Sequence, residues 1–163
     1  WWIDDPRQIT GINLLPMTTV STYFASHPEY IKKNLEALKE EQKIWASRGK
    51  KVDPPDIWQD IFAKYLALAD PVAGLASWNR WGSVELGDTR THALHWLLSL
   101  EAMGVPDLDT GADAPLAQVF RRADGRRTHL AFNPGTTPLT VRFTDGVALT
   151  VPPGQLARAQ SGP

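Results

Sequence analysis

A chain of 163 residues is long enough for one domain or one and a half, with a sizeable buried core. Apolar residues make up 42% and charged residues 21%, and the net charge is −1. That balance implies no basic surface for nucleic acid or an anionic membrane, no apolar run reaches membrane-spanning length, and the lack of cysteine excludes disulfides and thiolate metal sites.

Trp1 to Pro16 reads as an irregular or short-helical entry ending in GINLLP, and Pro16 suits the first turn of a short helix over Met17–Phe24. In SHPEYIKKNLEALKEEQKIWASRG, Ser26 and Glu29 have capping-box spacing, and Pro28 sits in the first turn, where its missing N–H costs nothing. Ile31, Leu35, Leu38 and Trp45 mark an apolar face, while Lys32, Lys33, Glu36, Lys39, Glu40 and Lys43 mark a polar one. With Gly49 as a stop, this predicts an outer, solvated helix. After the loop GKKVDPPD, Asp56 starts a helix with Ile57, Ile61, Tyr65 and Leu68 on one side and Trp58 and Phe62 beside them. Asp70-Pro71 breaks it, and a shorter helix follows to about Arg80. Trp81-Gly82-Ser83 leads into a last helix that stops at Gly104, before Pro106.

Beyond Pro106 the pattern changes. VPDLDTGADAP reads as a linker, and after it the apolar period falls from 3.6 to 2. Thr128, Leu130 and Phe132 alternate, as do Leu139, Val141 and Phe143, and Val147, Leu149 and Val151. Asp124-Gly125 and Asp145-Gly146 signal hairpins, and Asn133-Pro134-Gly135 signals a third turn. The expected fold class is α+β: a helical region over residues 1–112, then an antiparallel β meander of about four strands within 113–163.

The last helix carries the chemistry. Glu85, Asp88, His92, His95 and Ser99 follow at spacings of three, four, three and four, among Ala93, Leu94, Trp96, Leu97, Leu98 and Leu100. At 3.6 residues per turn they form one line on one face. A titratable stripe on a buried helix is costly unless its groups are paired or face a wet cleft, so the helix is expected to look into a binding site. Alternatives stand beside this. Asp88 is either the N-cap at Thr89 or half of a carboxylate pair with Glu85, and Glu85 otherwise pairs with Arg80 or Arg90. Asp88, His92 and His95 share a face that suits a metal, but no His-Glu-x-x-His pattern supports one, and a Ser99–His95–Asp88 triad lacks any nucleophile elbow. Seven tryptophans are many for this length, and tryptophan builds both cores and platforms for sugar rings. Trp81 and Trp96, beside the stripe, are the candidate platforms, with Trp1, Trp2 and Trp78 behind them; Trp45 and Trp58 read as core. Asn13 lines a cleft or makes a turn, and Arg121, Arg122, Arg126 and Arg127 flank a solvated hairpin turn.

Five segments in order carry a resemblance: GINLLPMTTVSTYF, HPEYIKKNLEAL, WQDIFAKYLALADPVAGL, ELGDTRTHALHWLLSLEAMG and QVFRRADGRRTHLAFNPGTTPLTVRFTDG. From about Thr10 to about Pro153 the chain resembles the C-terminal part of glycoside hydrolase family 81, the endo-1,3-β-glucanases or laminarinases. The resemblance implies part of an α/α toroid, a 1,3-β-glucan substrate hydrolysed with inversion, no cofactor, and a secreted, extracellular protein. An inverting site needs an acid and a carboxylate roughly 6.5–9.5 Å apart. In the family these come from an Asp near a histidine and from a glutamate-rich helix, both upstream of the GINLLP segment. This chain has no Asp-x-His, and Glu36, Glu40 and Glu41 lie on the solvated face. The catalytic residues are therefore expected outside the chain, which begins at Trp1 without methionine or signal segment and reads as a piece of something longer. Its expected role is one wall of the glucan cleft, through Glu85, Asp88, His92, His95, Trp81, Trp96 and Asn13, with the upstream part of the same enzyme as partner and no metal. The alternative is a non-catalytic 1,3-β-glucan-binding module.

Overall fold

Asp5 and Pro6 start the first helix, as their chemistry dictates. In a computed structural model that describes residues 4–50, 57–80 and 90–162, helix α1 spans Pro6–Leu14. The Asp5 carboxylate accepts from the Arg7 backbone N–H at 2.9 Å and pairs with the buried Arg7 guanidinium at 2.7 Å. A 3-10 helix, Thr19–Ser26, follows where a short helix over Met17–Phe24 was expected. Helix α2 spans Pro28–Ser47. Its predicted capping box from Ser26 to Glu29 is not made: Ser26 ends the 3-10 helix, and His27 becomes the cap residue without a side-chain bond. Ile31 and Leu38 are buried, while Lys32, Lys33, Glu36, Lys39, Glu40 and Lys43 are exposed, as an outer helix requires. Gly49, at φ +75°, closes the helix in the left-handed region that glycine enters without strain.

Helix α3, Gln59–Ala67, begins later than Asp56, which lies outside the described residues. Its cap residue is Trp58, held in the left-handed region at φ 61°. The Trp58 ring lies against Gly11 of α1 so closely that an added Cβ would sit 2.6 Å from its Cγ. Helix α4, Pro71–Asn79, is capped by Asp70, whose carboxylate accepts from the Ala73 N–H at 2.9 Å. Gly74 lets α4 close on α3: a Cβ there would meet that of Ala67 at 2.6 Å. Helix α5 runs Arg90–Met103.

Two compact units result, Trp1–Ala102 and Met103–Pro163. The sequence reading divided the chain at 112/113; the second unit starts ten residues earlier, because the segment read as a linker is part of its sheet. Strand β1, Val105–Pro106, pairs with Phe120 and Arg121 of β2, Ala117–Arg121. Ala112 bridges to Phe143, and Arg142 donates its backbone N–H to the Asp113 carboxylate at 2.7 Å. Asp, Gly and Pro mimic linker composition, yet here they make the turns that hold the sheet edge.

Strand β3 is Arg127–Phe132, β4 Leu139–Arg142, β5 Ala148–Val151 and β6 Leu156–Ser161. One antiparallel sheet has the order β1-β2-β3-β6, and β4-β5 form a separate hairpin. The hairpin signals at Gly125 and Gly146 are real turns, at φ +85° and +90°. Val119, Ala131, Val141, Phe143, Leu149 and Val151 make the core. The parity of β3 differs from its apolar pattern. Pairing of Val119 with His129 and Ala117 with Ala131 turns His129 and Ala131 inward, leaving Leu130 half-buried and Phe132 exposed on the other face.

Candidate functional site

At 100° per residue, Ala93, Leu97 and Leu100 mark the buried side of α5, with Trp96 on its edge. The Trp96 indole N–H donates to the Lys64 carbonyl of α3 at 3.2 Å, which fixes the ring. One turn back lies His92, its ring centroid 6.4 Å from that of Trp96 and tilted by 53°. His92 and His95 are exposed and Ser99 is half-buried, in line along the flank of the helix beside Trp96. The expected stripe is therefore continuous over these three residues. Its setting differs from the expectation of a buried helix, because Leu94 and Leu98 are exposed too. The helix presents a broad open face that mixes two imidazoles with two leucines.

Glu85, Asp88 and Trp81 lie outside the described residues, as do Trp1 and Trp2. Asn13 is exposed, on the last turn of α1. Trp78 is buried, with the Arg90 guanidinium 5.6 Å over its ring, so it serves packing rather than a platform. Trp45 and Trp58 are half-buried, and the Trp58 indole N–H is buried without a partner among the described residues. Among the described residues no group of three His, Asp or Glu side chains stands close enough to hold a metal ion.

Several carboxylates on and beside the described helices have structural roles, and one buried carboxylate is an exception. Asp5 and Asp70 cap helices, and Glu36 and Glu40 pair with Lys39 and Lys43, each at 2.6 Å, on the exposed face of α2. The exception is Asp60, 4% exposed in the first turn of α3, whose Oδ1 has no hydrogen-bond partner among the described residues. Sequence reading passed over it. The signal was present: Asp60 and the buried Lys64 stand one turn apart among the apolar residues of α3. A cleft of about 310 Å³ opens between the helices, lined by Leu35, Leu38, Gln59, Phe62, Leu66 and Ser77 among others, with Gln59 Nε2 donating to Ser77 Oγ at 2.6 Å. None of the sequence-predicted site residues among the described residues lines it.

Comparison with known proteins gives these residues a context. No family model matches the chain. A glucan endo-1,3-beta-D-glucosidase of Thermobifida fusca (strain YX) is 42% identical over 160 residues, covering 96% of this chain and 20% of that protein. Another protein of that name, from Acetivibrio thermocellus, is 36% identical over 157 residues, covering 96% and 19%. Among solved structures, a mutant form of a glycoside hydrolase family 81 protein from Clostridium thermocellum superposes with a TM-score of 0.80 at 34% identity, over 99% of this chain and 21% of that one. The chain thus spans about a fifth of the length of the relatives it matches. With segments of that sequence and a helical region followed by small antiparallel sheets, the chain belongs to glycoside hydrolase family 81, as the counterpart of one fifth of a relative.

Proposed function

We propose that this chain is the C-terminal piece of an extracellular endo-1,3-β-glucanase that hydrolyses 1,3-β-glucan with inversion. It forms one wall of the glucan cleft, and the catalytic acid and base belong to the rest of the enzyme. The observation that carries this reading is the match, at 42% and 36% identity over 96% of the chain, to two proteins named glucan endo-1,3-beta-D-glucosidase.

The open face of α5 supplies the wall. Exposed His92 and His95 offer ring nitrogens that donate to or accept from sugar hydroxyls, and Trp96, tied to Lys64, sets the edge of that face. Glu85, Asp88 and Trp81, which precede α5 in the sequence, and Asn13 are the further proposed sugar contacts. An inverting pair must stand roughly 6.5–9.5 Å apart with water between them. Glu36 and Glu40 do not fit that role, since each is held by a lysine on an exposed helix face.

Two measurements on the 163-residue chain test this. Titration with a 1,3-β-linked gluco-hexasaccharide should shift the imidazole resonances of His92 and His95 saturably; unmoved imidazoles would remove the wall. The chain alone should release no reducing ends from laminarin. Release would place the acid and base within these residues.

A further inference from the structure

Strand register settles which residues share the outer face of the four-stranded sheet. Ala117, Val119, Ala131, Ala157 and Ala159 pack in the core. The residues between them therefore point the other way. Gln118, Leu130 and Arg158 stand in one row, Phe120, Thr128 and Gln160 in the row on one side, and Phe132 and Leu156 in the row on the other. Leu116 extends that last row, since its carbonyl accepts from the Phe132 N–H at 2.9 Å. Along β3 the outer face thus runs from buried Thr128 through half-buried Leu130 to exposed Phe132. Water sorts residues in the opposite sense, leaving threonine outside and phenylalanine inside. Leu116, Phe132 and Leu156 are neighbours, exposed at 49%, 38% and 63%, where an antiparallel sheet facing solvent would carry polar side chains. Grouped apolar side chains of this kind mark an interaction surface.

Arg158 narrows what the surface meets. The other arginines of the β unit all have a carboxylate within 3.9 Å: Arg121 and Arg127 share Asp107, Arg122 and Arg126 share Asp124, and Arg142 meets Asp113. Arg158 is exposed beside Leu130 and has no hydrogen bond or ion pair among the described residues. A second copy laid face to face across a two-fold axis would bring it no carboxylate, because this face has none. A sugar would find two leucines and a phenylalanine that offer its hydroxyls nothing to bond. The chain spans about a fifth of the glucanases it matches, so an enzyme that carries it has other polypeptide to lay there.

We propose that this outer face, at Leu116, Phe132, Leu156 and Arg158, is covered by a segment of the longer glucanase outside these 163 residues, through apolar side chains set beside a carboxylate that pairs with Arg158. The surface rests on the reading of this chain as a piece of that enzyme.

The chain has no cysteine, so Leu156→Cys puts a single thiol on the face, at a position too exposed for the change to empty the core. Its alkylation by a maleimide, followed by mass spectrometry of that peptide, is compared between this chain and the longer enzyme that carries it. In this chain the thiol should react at nearly the rate it has in urea. In the longer enzyme it should react about tenfold more slowly. There Arg158→Glu, which sets carboxylate against carboxylate, should return much of the lost reactivity. Equal rates in the two proteins would overturn the surface. A slow rate in this chain that recovers on dilution would give the face to a second copy, and a rate slowed by the 1,3-β-linked gluco-hexasaccharide would give it to the sugar; either overturns the proposal. A slow rate in the longer enzyme that ignores Arg158→Glu would overturn the carboxylate partner. Release of reducing ends from laminarin by the longer enzyme is read separately. A covered face on a protein that releases none keeps the surface and breaks the glucanase reading, and an open face on one that does release them does the reverse.

Discussion

The two units bury polar groups in different ways. In the β unit, Asp107 is 2% exposed, yet its carboxylate meets Arg127 Nε at 2.9 Å, the Asp109 N–H at 3.3 Å and the Thr110 hydroxyl at 3.3 Å. Buried Asn133 donates to the carbonyls of Thr137 and Val151, at 2.8 and 2.9 Å, and accepts from the Gly135 N–H at 2.9 Å. His129 reaches Asp145 at 2.8 Å through Nε2, and only its Nδ1 is left over. The helical unit closes Asp5 on Arg7 but, among the described residues, leaves Trp58 Nε1 and Asp60 Oδ1 buried without partners. The reason is geometric. Helices spend their backbone groups on themselves, so a polar side chain between them depends on other side chains or on the few groups left over at helix ends, as Trp96 does on the Lys64 carbonyl. Tight turns and sheet edges leave N–H and C=O groups free within a few residues of any buried polar group, and the β unit uses them.

If this contrast is right, the β unit stands on its own core, and damage there should stay there. Phe143→Ala removes a ring packed edge-on against His129 at 4.8 Å and should cost about 3–5 kcal/mol in urea unfolding followed by strand signals. Hydrogen exchange in α2 and α3 should be unchanged. Loss of protection in those helices would break the comparison.

Next in size is Asp107. Burial pushes its carboxyl up, but the Arg127 hydrogen bond, the Arg121 charge and the Asp109 N–H together hold it below its ordinary 3.8. A group with a depressed folded value contributes stability that is full above the unfolded value and is lost as pH falls through the folded one. The β unit should therefore lose stability below about pH 4. Asp107→Asn should remove much of that acid limb and cost on the order of 2 kcal/mol at neutral pH, seen in urea melts across pH. An unchanged acid limb would assign it to other carboxylates.

A smaller effect sharpens the helical side. Gly11→Ala drives a methyl into the Trp58 ring and should cost about 1–2 kcal/mol, with a change in the near-ultraviolet tryptophan signal. No loss would mean that Trp58 yields, and that its left-handed backbone is not held by α1.

How far the sequence could be read follows the same division. Local signals held: Asp70-Pro71 starts α4, Gly49 and Gly104 sit past the ends of α2 and α5, and Asp124-Gly125 and Asp145-Gly146 make turns, each because one residue's backbone preference decides the matter. Readings that needed a partner failed. The face of β3 is set by pairing with β2 and β6, so of the alternating residues Leu130 is half-buried and Phe132 exposed, while His129 and Ala131 between them are buried. VPDLDTGADAP looked like a linker because Asp107 finds its nearest charged partner, Arg127, on β3, 20 residues away. At the candidate site, the line of His92, His95 and Ser99 was legible from helical spacing alone, but the exposure of Leu94 and Leu98 beside it was not, since burial depends on what packs across the helix. Asp60 was missed for the same reason.

The smallest effect belongs on α2. Glu29–Lys32, Glu36–Lys39 and Glu40–Lys43 repeat one i,i+3 pairing, with every side chain at least half exposed. Such pairs gain little in water, because each long side chain must give up freedom to hold one geometry and salt screens the rest. Lys39→Ala should therefore leave the thermal midpoint within about 2 °C of the parent, and 1 M salt should erase any difference. Within a larger enzyme the same substitution separates two surroundings for this face. If α2 stays solvated there, the midpoint again does not move. If the rest of the enzyme covers it, Lys39 and Glu36 become a desolvated pair, and truncating one partner strands the other charge at a far higher cost. A large shift in a longer protein, beside none in this chain, would place α2 against the additional residues.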